Sequence, residues 1–277
     1  MILLGGSEGG DSLAGIAPLL AAHGFAVLSV AYFGVVGTPR HLVDVPLETI
    51  GTALAWFARQ PEVDASRIGV LGNSKGGEVA FLAASTYPQV RAVVSVVGAP
   101  FAMYGIDVGS VSPNAKGSWS IGGAEVPFVP ADAAAAARVH SEIAAGGEVS
   151  FGLEADASVT NNAAAVKRAT FPLERINGPV FCVGAGDDHV WNSAQYCQMA
   201  LAYLRAHNHP FPDRSLLFAD AGHGVLTFYL PTYGYREFSV GRFTEVDGGT
   251  AEADGRATEA AWPAIIRFLR ASLAPAT

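Results

Sequence analysis

Sixteen residues, Arg67-Ile68-Gly69-Val70-Leu71-Gly72-Asn73-Ser74-Lys75-Gly76-Gly77-Glu78-Val79-Ala80-Phe81-Leu82, constrain the fold more than any other part of this chain. They read as an apolar strand, a tight turn holding one serine between glycines, and the opening of a helix. In a G-x-S-x-G turn the chain reverses so sharply that the serine takes a strained backbone conformation. The positions two before and two after it must then be small for strand and helix to pass. Gly72 and Gly76 meet that demand. A serine at a helix N-terminus also lets the next backbone N–H, that of Lys75, face an oxygen that gains negative charge during acyl transfer. The string alone is not enough, because Gly5-Gly6-Ser7-Glu8-Gly9 fits it as well. That match opens at the fifth residue and no apolar helix follows it at once, so it reads as a glycine loop.

The surrounding chain has the rhythm of an α/β protein. Ile2–Leu4 is an apolar strand, a helix begins near Asp11 or Ser12, and Phe25 to Tyr32 is a buried strand. A helix then starts at about Pro46 and stops at Gln60-Pro61. After the elbow come strands at Ala92–Val97, Pro179–Gly184 and Ser215–Phe218, a helix capped by Ser193, and a last helix that follows a polar, glycine-rich stretch, 241 to 256. Apolar strands alternating with helices imply a mostly parallel sheet covered on both faces. Residues 100 to 172 break the rhythm, with glycine, proline, an alanine run and no strong strand signal. Such an interval inside a compact domain reads as a lid-like insertion, so 1–277 is expected to be a single domain that contains it.

Composition removes several functions. Half of the 277 residues are hydrophobic, yet no apolar run reaches the ~18 residues of a membrane span. The net charge is −8 with only 17 Lys and Arg and no basic cluster along the sequence, which argues against nucleic acid as partner. Met1-Ile2-Leu3-Leu4 has no basic stretch before it, so no secretory leader is expected. Cys182 and Cys197 read as buried free thiols, no Cys/His spacing suits a metal, and no cofactor motif is present. A cytoplasmic location is the expectation; the oligomeric state is not legible.

A serine nucleophile needs a base to take its proton and a carboxylate to orient that base. In the order Ser, Asp or Glu, His, both partners lie on loops at the carboxyl ends of later strands. Asp187 and Asp188 follow the strand ending at Gly184, and His223, between glycines, follows the strand ending near Phe218. His189 precedes the last strand and reads as a loop neighbour. His23, His41, His140, His207 and His209 lie at helix ends or in loops, where solvated or capping roles are expected. A second oxyanion donor would come from the loop after the first strand, from Gly6 or Ser7.

Together, Leu4-Gly5-Gly6-Ser7-Glu8-Gly9-Gly10, His23-Gly24-Phe25-Ala26-Val27, Ala31-Tyr32-Phe33, Pro46-Leu47-Glu48, Ile68 to Glu78, Asp187-Asp188-His189-Val190-Trp191, Gly222-His223 and Gly248-Gly249-Thr250 resemble the catalytic domain of the acyl-CoA thioester hydrolase / bile acid-CoA:amino acid N-acyltransferase family. The resemblance implies an α/β-hydrolase fold and an acyl thioester substrate, with Ser74 as nucleophile and His223 as base. The family pattern D-x-x-W selects Asp188 as acid, whereas the generic pattern G-x-x-D-x-x-V selects Asp187; Asp188 is preferred. Serine in this family goes with hydrolysis and cysteine with transfer to an amine. Relatives carry a β-sandwich domain ahead of the hydrolase domain that this sequence does not show, and its scarcity of basic residues suits coenzyme A poorly. Two other readings stand beside an acyl-CoA thioesterase: a carboxylesterase or lactonase of dienelactone-hydrolase type, and a non-catalytic binding protein on the same fold.

Overall fold

Short runs of Val, Leu and Ile, each too apolar to sit at a surface, pair side by side into one sheet. The computed structural model describes residues 1–107, 112–226 and 243–274. Its strands and helices in chain order are β1 (Ile2–Leu4), α1 (Ala17–Ala22), β2 (Leu28–Val30), β3 (Val45–Pro46), α2 (Glu48–Phe57), β4 (Ile68–Asn73), α3 (Lys75–Thr86) and β5 (Val90–Val96). There follow β6 (Tyr104–Asp107), β7 (Ser112–Gly117), β8 (Trp119–Ile121), β9 (Ala124–Glu125), α4 (Ala133–Ala145), β10 (Gly147–Val149), α5 (Gly152–Asn161) and α6 (Ala163–Ala169). The chain continues with β11 (Val180–Ala185), α7 (Ser193–Ala206), β12 (Arg214–Phe218), β13 (Phe243–Glu245) and α8 (Ala251–Ser272). Six strands form the main sheet in the order β12-β11-β5-β4-β1-β2, and every neighbouring pair is parallel.

Alternation along the strands splits the core into two layers. Ile2, Leu4, Val70, Val93 and Cys182 point to the layer under α2, α3 and α7; Leu3, Leu71, Val94 and Val183 point to the layer under α1 and α8. Each fully buried side chain of this size stabilises the fold by about 1.5–3 kcal/mol. Because both faces are covered, the middle strands carry no polar face, which explains their continuous apolar runs.

Several boundaries differ from expectation. The strand expected from Phe25 to Tyr32 shrinks to Leu28–Val30, because β2 is the last strand of the sheet and pairs only with β1. The first helix is broken, with a 3₁₀ turn at Ala14–Ile16 preceding Ala17. The second begins at Glu48, and Val45–Pro46 pair instead with Trp119–Ser120. Asn192, not Ser193, caps α7, its side chain accepting from the Gln195 N–H at 3.2 Å. The stretch 241 to 256 is polar loop only in part. Residues 241 and 242 lie outside the described residues, and α8 begins at Ala251 with the Thr250 side chain as cap and Glu252 and Asp254 in the favourable first turn.

The interval 100 to 172 holds more order than its sequence suggests. β6 and β7 form an antiparallel pair, β8 and β9 join β3, and the alanine run starts α4 behind an Asp132 cap. These strands are short and mix polar with apolar residues, so their pairing depends on neighbours far away in sequence rather than on any local apolar pattern.

Candidate active site

The turn between β4 and α3 has the backbone its sequence requires. Ser74 sits at φ 56° and ψ −123°, a left-handed conformation costing about 1–3 kcal/mol for a residue with a side chain. A Cβ on Gly72 would lie 2.0 Å from the Gly76 carbonyl oxygen, and one on Gly76 would lie 2.0 Å from the Leu4 carbonyl oxygen. Strand, helix and the loop after β1 therefore touch backbone to backbone around Ser74. The Ser74 N–H donates to Val96 O at 2.9 Å, which ties the strained residue to the end of β5.

Two later loops converge on this serine. His223 Nε2 stands 2.8 Å from Ser74 Oγ, and His223 Nδ1 stands 3.0 and 2.9 Å from the two oxygens of Asp188. Asp188 is held from three further donors: the N–H groups of Val190 (2.9 Å) and Trp191 (3.2 Å) reach Oδ1, and the Ser193 hydroxyl donates to Oδ2 at 2.5 Å. The carboxylate has no freedom to turn away from the imidazole. Asp187 lies elsewhere, half-exposed, accepting from Gly249 N–H at 3.0 Å and 3.2 Å from His189 Nε2. Of the two aspartates, only Asp188 meets His223.

A wedge of glycines makes the convergence possible. Gly222, Gly248 and Gly249 interlock so closely that a Cβ on Gly248 would sit 1.9 Å from Asp187 O, and one on Gly222 2.2 Å from Gly248 O. Gly248 and Gly249 both have positive φ, 78° and 67°. The loop they form delivers Asp247, whose carbonyl accepts from the N–H groups of His223 (2.8 Å) and His189 (3.2 Å). Burial pushes the His223 imidazole down, but the Asp188 carboxylate, followed by Asp247 and Glu245, outweighs burial and raises it to about 9. Trp191 completes the frame. Its indole N–H donates to Val97 O at 2.7 Å, and its ring meets His223 edge-on at 5.9 Å.

The oxyanion candidates surround the same point. Lys75 is the first residue of α3, where helical N–H groups lack an acceptor within the helix. Gly6 lies against Ser74, since a Cβ there would be 3.3 Å from Ser74 Cβ; Tyr32 OH donates to Gly5 O at 2.6 Å and pins the loop that Ser7 continues. The Lys75 side chain turns away into the protein, 2% exposed, where Nζ meets Glu78 Oε2 at 2.9 Å. Glu78 also accepts from the Trp119 indole at 2.6 Å and from Met103 N–H at 3.2 Å. The helix behind Ser74 is thereby bolted to the interval 100 to 172.

Two groups escaped the sequence reading. Ser193 was expected to cap α7 and instead supports Asp188, and Asp247 carried no signal at all, because what matters is a fold contact with a histidine 24 positions earlier. His209 was expected to be solvated or capping. Its side chain is buried, between Asp213 Oδ2 (2.7 Å) and Ile176 O (2.9 Å). Cys182 and Cys197 are buried free thiols. Among the described residues, no group of three or more His, Cys, Asp or Glu side chains is placed to hold a metal ion, and no helix is long and apolar enough to cross a membrane.

Solved structures share this architecture. A putative dienelactone hydrolase from Klebsiella pneumoniae superposes with a TM-score of 0.51 at 14% identity, over 97% of this chain and 85% of that one, which supports an α/β-hydrolase fold. By sequence, the chain is 27% identical over 262 residues to a peroxisomal succinyl-coenzyme A thioesterase of Mus musculus, covering 94% of this chain and 57% of that protein. It is 28% identical over 262 residues to the acyl-coenzyme A amino acid N-acyltransferase 1 of the same organism, covering 93% and 56%. The chain thus spans little more than half the length of these relatives. The family model described as BAAT / acyl-CoA thioester hydrolase C terminal matches residues 45–275, more than half of the chain, and the chain belongs to that family.

Proposed function

We propose that this protein is a serine hydrolase of acyl thioesters, acyl-CoA thioesterase-like, working through an acyl-enzyme on Ser74. The observation that carries the reading is the continuous relay Asp188, His223, Ser74, with contacts of 2.9 and 2.8 Å. His223 Nε2 takes the Ser74 proton as Oγ attacks the thioester carbonyl, and the oxyanion forms against the N–H groups of Lys75 and the Gly6-Ser7 loop. Collapse breaks the C–S bond, and His223 returns its proton to the departing thiolate. Water then attacks the acyl ester, again losing its proton to His223, and releases the acid and free Ser74. Asp188 keeps Nδ1 protonated and stabilises the imidazolium. A serine ester, rather than a cysteine thioester, favours water over an amine as acceptor.

The interval 100 to 172 fits the role of a lid within one domain. It packs Phe101, Met103 and Tyr104 against Trp191 and Tyr196, Gly152 N–H donates to His189 O at 2.6 Å, and β10 pairs with β13 beside Asp247. The reading includes a cytoplasmic site of action, for which the two free cysteines speak.

Progress curves with acyl-CoA thioesters and p-nitrophenyl esters of several chain lengths, run beside Ser74→Ala, test the proposal. Thioester turnover that Ser74→Ala abolishes is the expected result. Faster turnover of esters than of thioesters would move the assignment to a carboxylesterase. Inertness on both, with no labelling by a fluorophosphonate, would sink the catalytic reading.

A further inference from the structure

A broad concavity lies far from Ser74. It has a volume of about 910 Å³ and opens at the N-terminal ends of the sheet strands, where Arg67 precedes β4, Arg91 lies in β5, Arg214 starts β12 and Arg267 projects from α8. From Arg67 to Ser74 the chain runs along β4 for seven residues, about 23 Å at ~3.3 Å per residue. The groove is therefore at the opposite end of the sheet from the relay.

Its chemistry runs against that of the whole molecule. Four guanidinium groups line it against one carboxylate, Asp64, in a chain of net charge −8. Arg67 is satisfied, with Nε 2.6 Å from Asp64 Oδ2 and Nη1 donating to Leu273 O at 3.1 Å. Arg91, Arg214 and Arg267 have no side-chain hydrogen bond or ion pair among the described residues. Asp64, the one acid of the lining, is taken up by Arg67, so three cations from three different elements face one concavity and repel each other unless an anion joins them.

The walls are fixed in advance. Gly178 approaches so closely that a Cβ there would meet Arg91 O at 2.0 Å. The wall carrying Phe211, Pro212 and Arg214 is pinned by Asp213, whose Oδ1 accepts from Val180 N–H at 2.9 Å and whose Oδ2 meets the buried His209. Phe211 and Pro212 give this wall an apolar surface beside the guanidinium groups. A volume of this size suits a small molecule rather than a polymer, and planar guanidinium forks suit phosphate oxygens. The apolar wall calls for an occupant that also has a flat unsaturated part.

We propose that this groove binds a nucleotide-class organic phosphate, its phosphates on Arg91, Arg214 and Arg267 and its ring against Phe211. The site is separate from the relay, so the proposal stands or falls independently of the thioesterase reading. Isothermal titration calorimetry at low ionic strength with ADP, adenosine and inorganic phosphate tests it. ADP is expected to saturate one site at least tenfold more tightly than either fragment, with affinity falling as salt rises. The exposed pair Arg214→Glu and Arg267→Glu should weaken ADP at least tenfold with an unchanged melting temperature, and Arg91→Gln should weaken it without a charge reversal. Phe211→Ala should erase the advantage of ADP over inorganic phosphate. Absence of ADP binding at millimolar concentration, or equal affinity in wild type and the folded Arg214/Arg267 variant, overturns the proposal.

Discussion

At the scale of single residues, the site is governed by how carboxylates are distributed around one imidazole. Asp188 receives the Nδ1 contact, whereas Asp187 serves the glycine loop and His189. Asp188→Asn should lower kcat by about 10⁴, the size of loss seen when an amide replaces a triad carboxylate, while Asp187→Asn should cost less than about tenfold. Steady-state kinetics of both variants on one thioester decides this. Acidity gives a second handle. In the proposed mechanism His223 must be neutral to take the Ser74 proton, and Asp188, Asp247 and Glu245 together hold it at about 9 against the opposing effect of burial. kcat/KM should therefore climb with pH and level off only above about 9. Asp247→Asn removes one of the raising charges without touching the relay contacts, so the midpoint of its pH profile should move to lower pH. An unmoved midpoint would show that Asp247 has no part in setting the base.

At the scale of elements, the first turn of α3 carries a buried ion pair, Lys75 and Glu78. Burial pushes the Lys75 ammonium down and the Glu78 carboxyl up, and their mutual attraction opposes both shifts. Glu78 also takes the Trp119 indole and the Met103 N–H, so the pair links the elbow to β8 and to the chain ahead of β6. Glu78→Gln leaves a buried ammonium without its counter-charge and should destabilise the fold by about 3–5 kcal/mol. Replacing both, with Lys75→Met and Glu78→Met, should recover most of that loss. Urea denaturation of the single and double variants reads the difference, and a double variant no more stable than the single would refute the argument. The sequence makes the elbow plain, because Gly72, Ser74 and Gly76 are adjacent in the chain. It hides the bolt, because Trp119 is 41 residues from Glu78 in an interval without a strong strand signal.

At the scale of the whole molecule, local patterns and long-range contacts divide the legible from the hidden. The order Ser, Asp, His was readable because each residue ends or follows an apolar strand, and a parallel sheet brings all such loops to one edge. Ser193 was not, because its hydroxyl turns back to Asp188 instead of capping α7, and Asp247 and the arginine groove were not, because each joins segments far apart in sequence. The same assembly sets activity and stability against each other. With His223 raised from 6.5 to about 9 by folding, the native state binds a proton that the unfolded chain has lost between those values. The stabilisation is fully present below pH 6.5 and is lost as pH rises through 9. At 1.36 kcal/mol per unit, the full change is roughly 3 kcal/mol. Glu154 and Asp254, whose carboxyls burial raises, act in the same direction at lower pH, favouring the native state when protonated. The melting temperature should therefore fall by several degrees between pH 6.5 and 9.5 while kcat/KM rises over the same interval. His223→Gln removes the titrating group and should flatten the melting curve in that window while abolishing turnover. Calorimetric scans of both proteins at half-unit steps would expose the idea as wrong if the wild type showed no decline there, or if the variant kept the same slope.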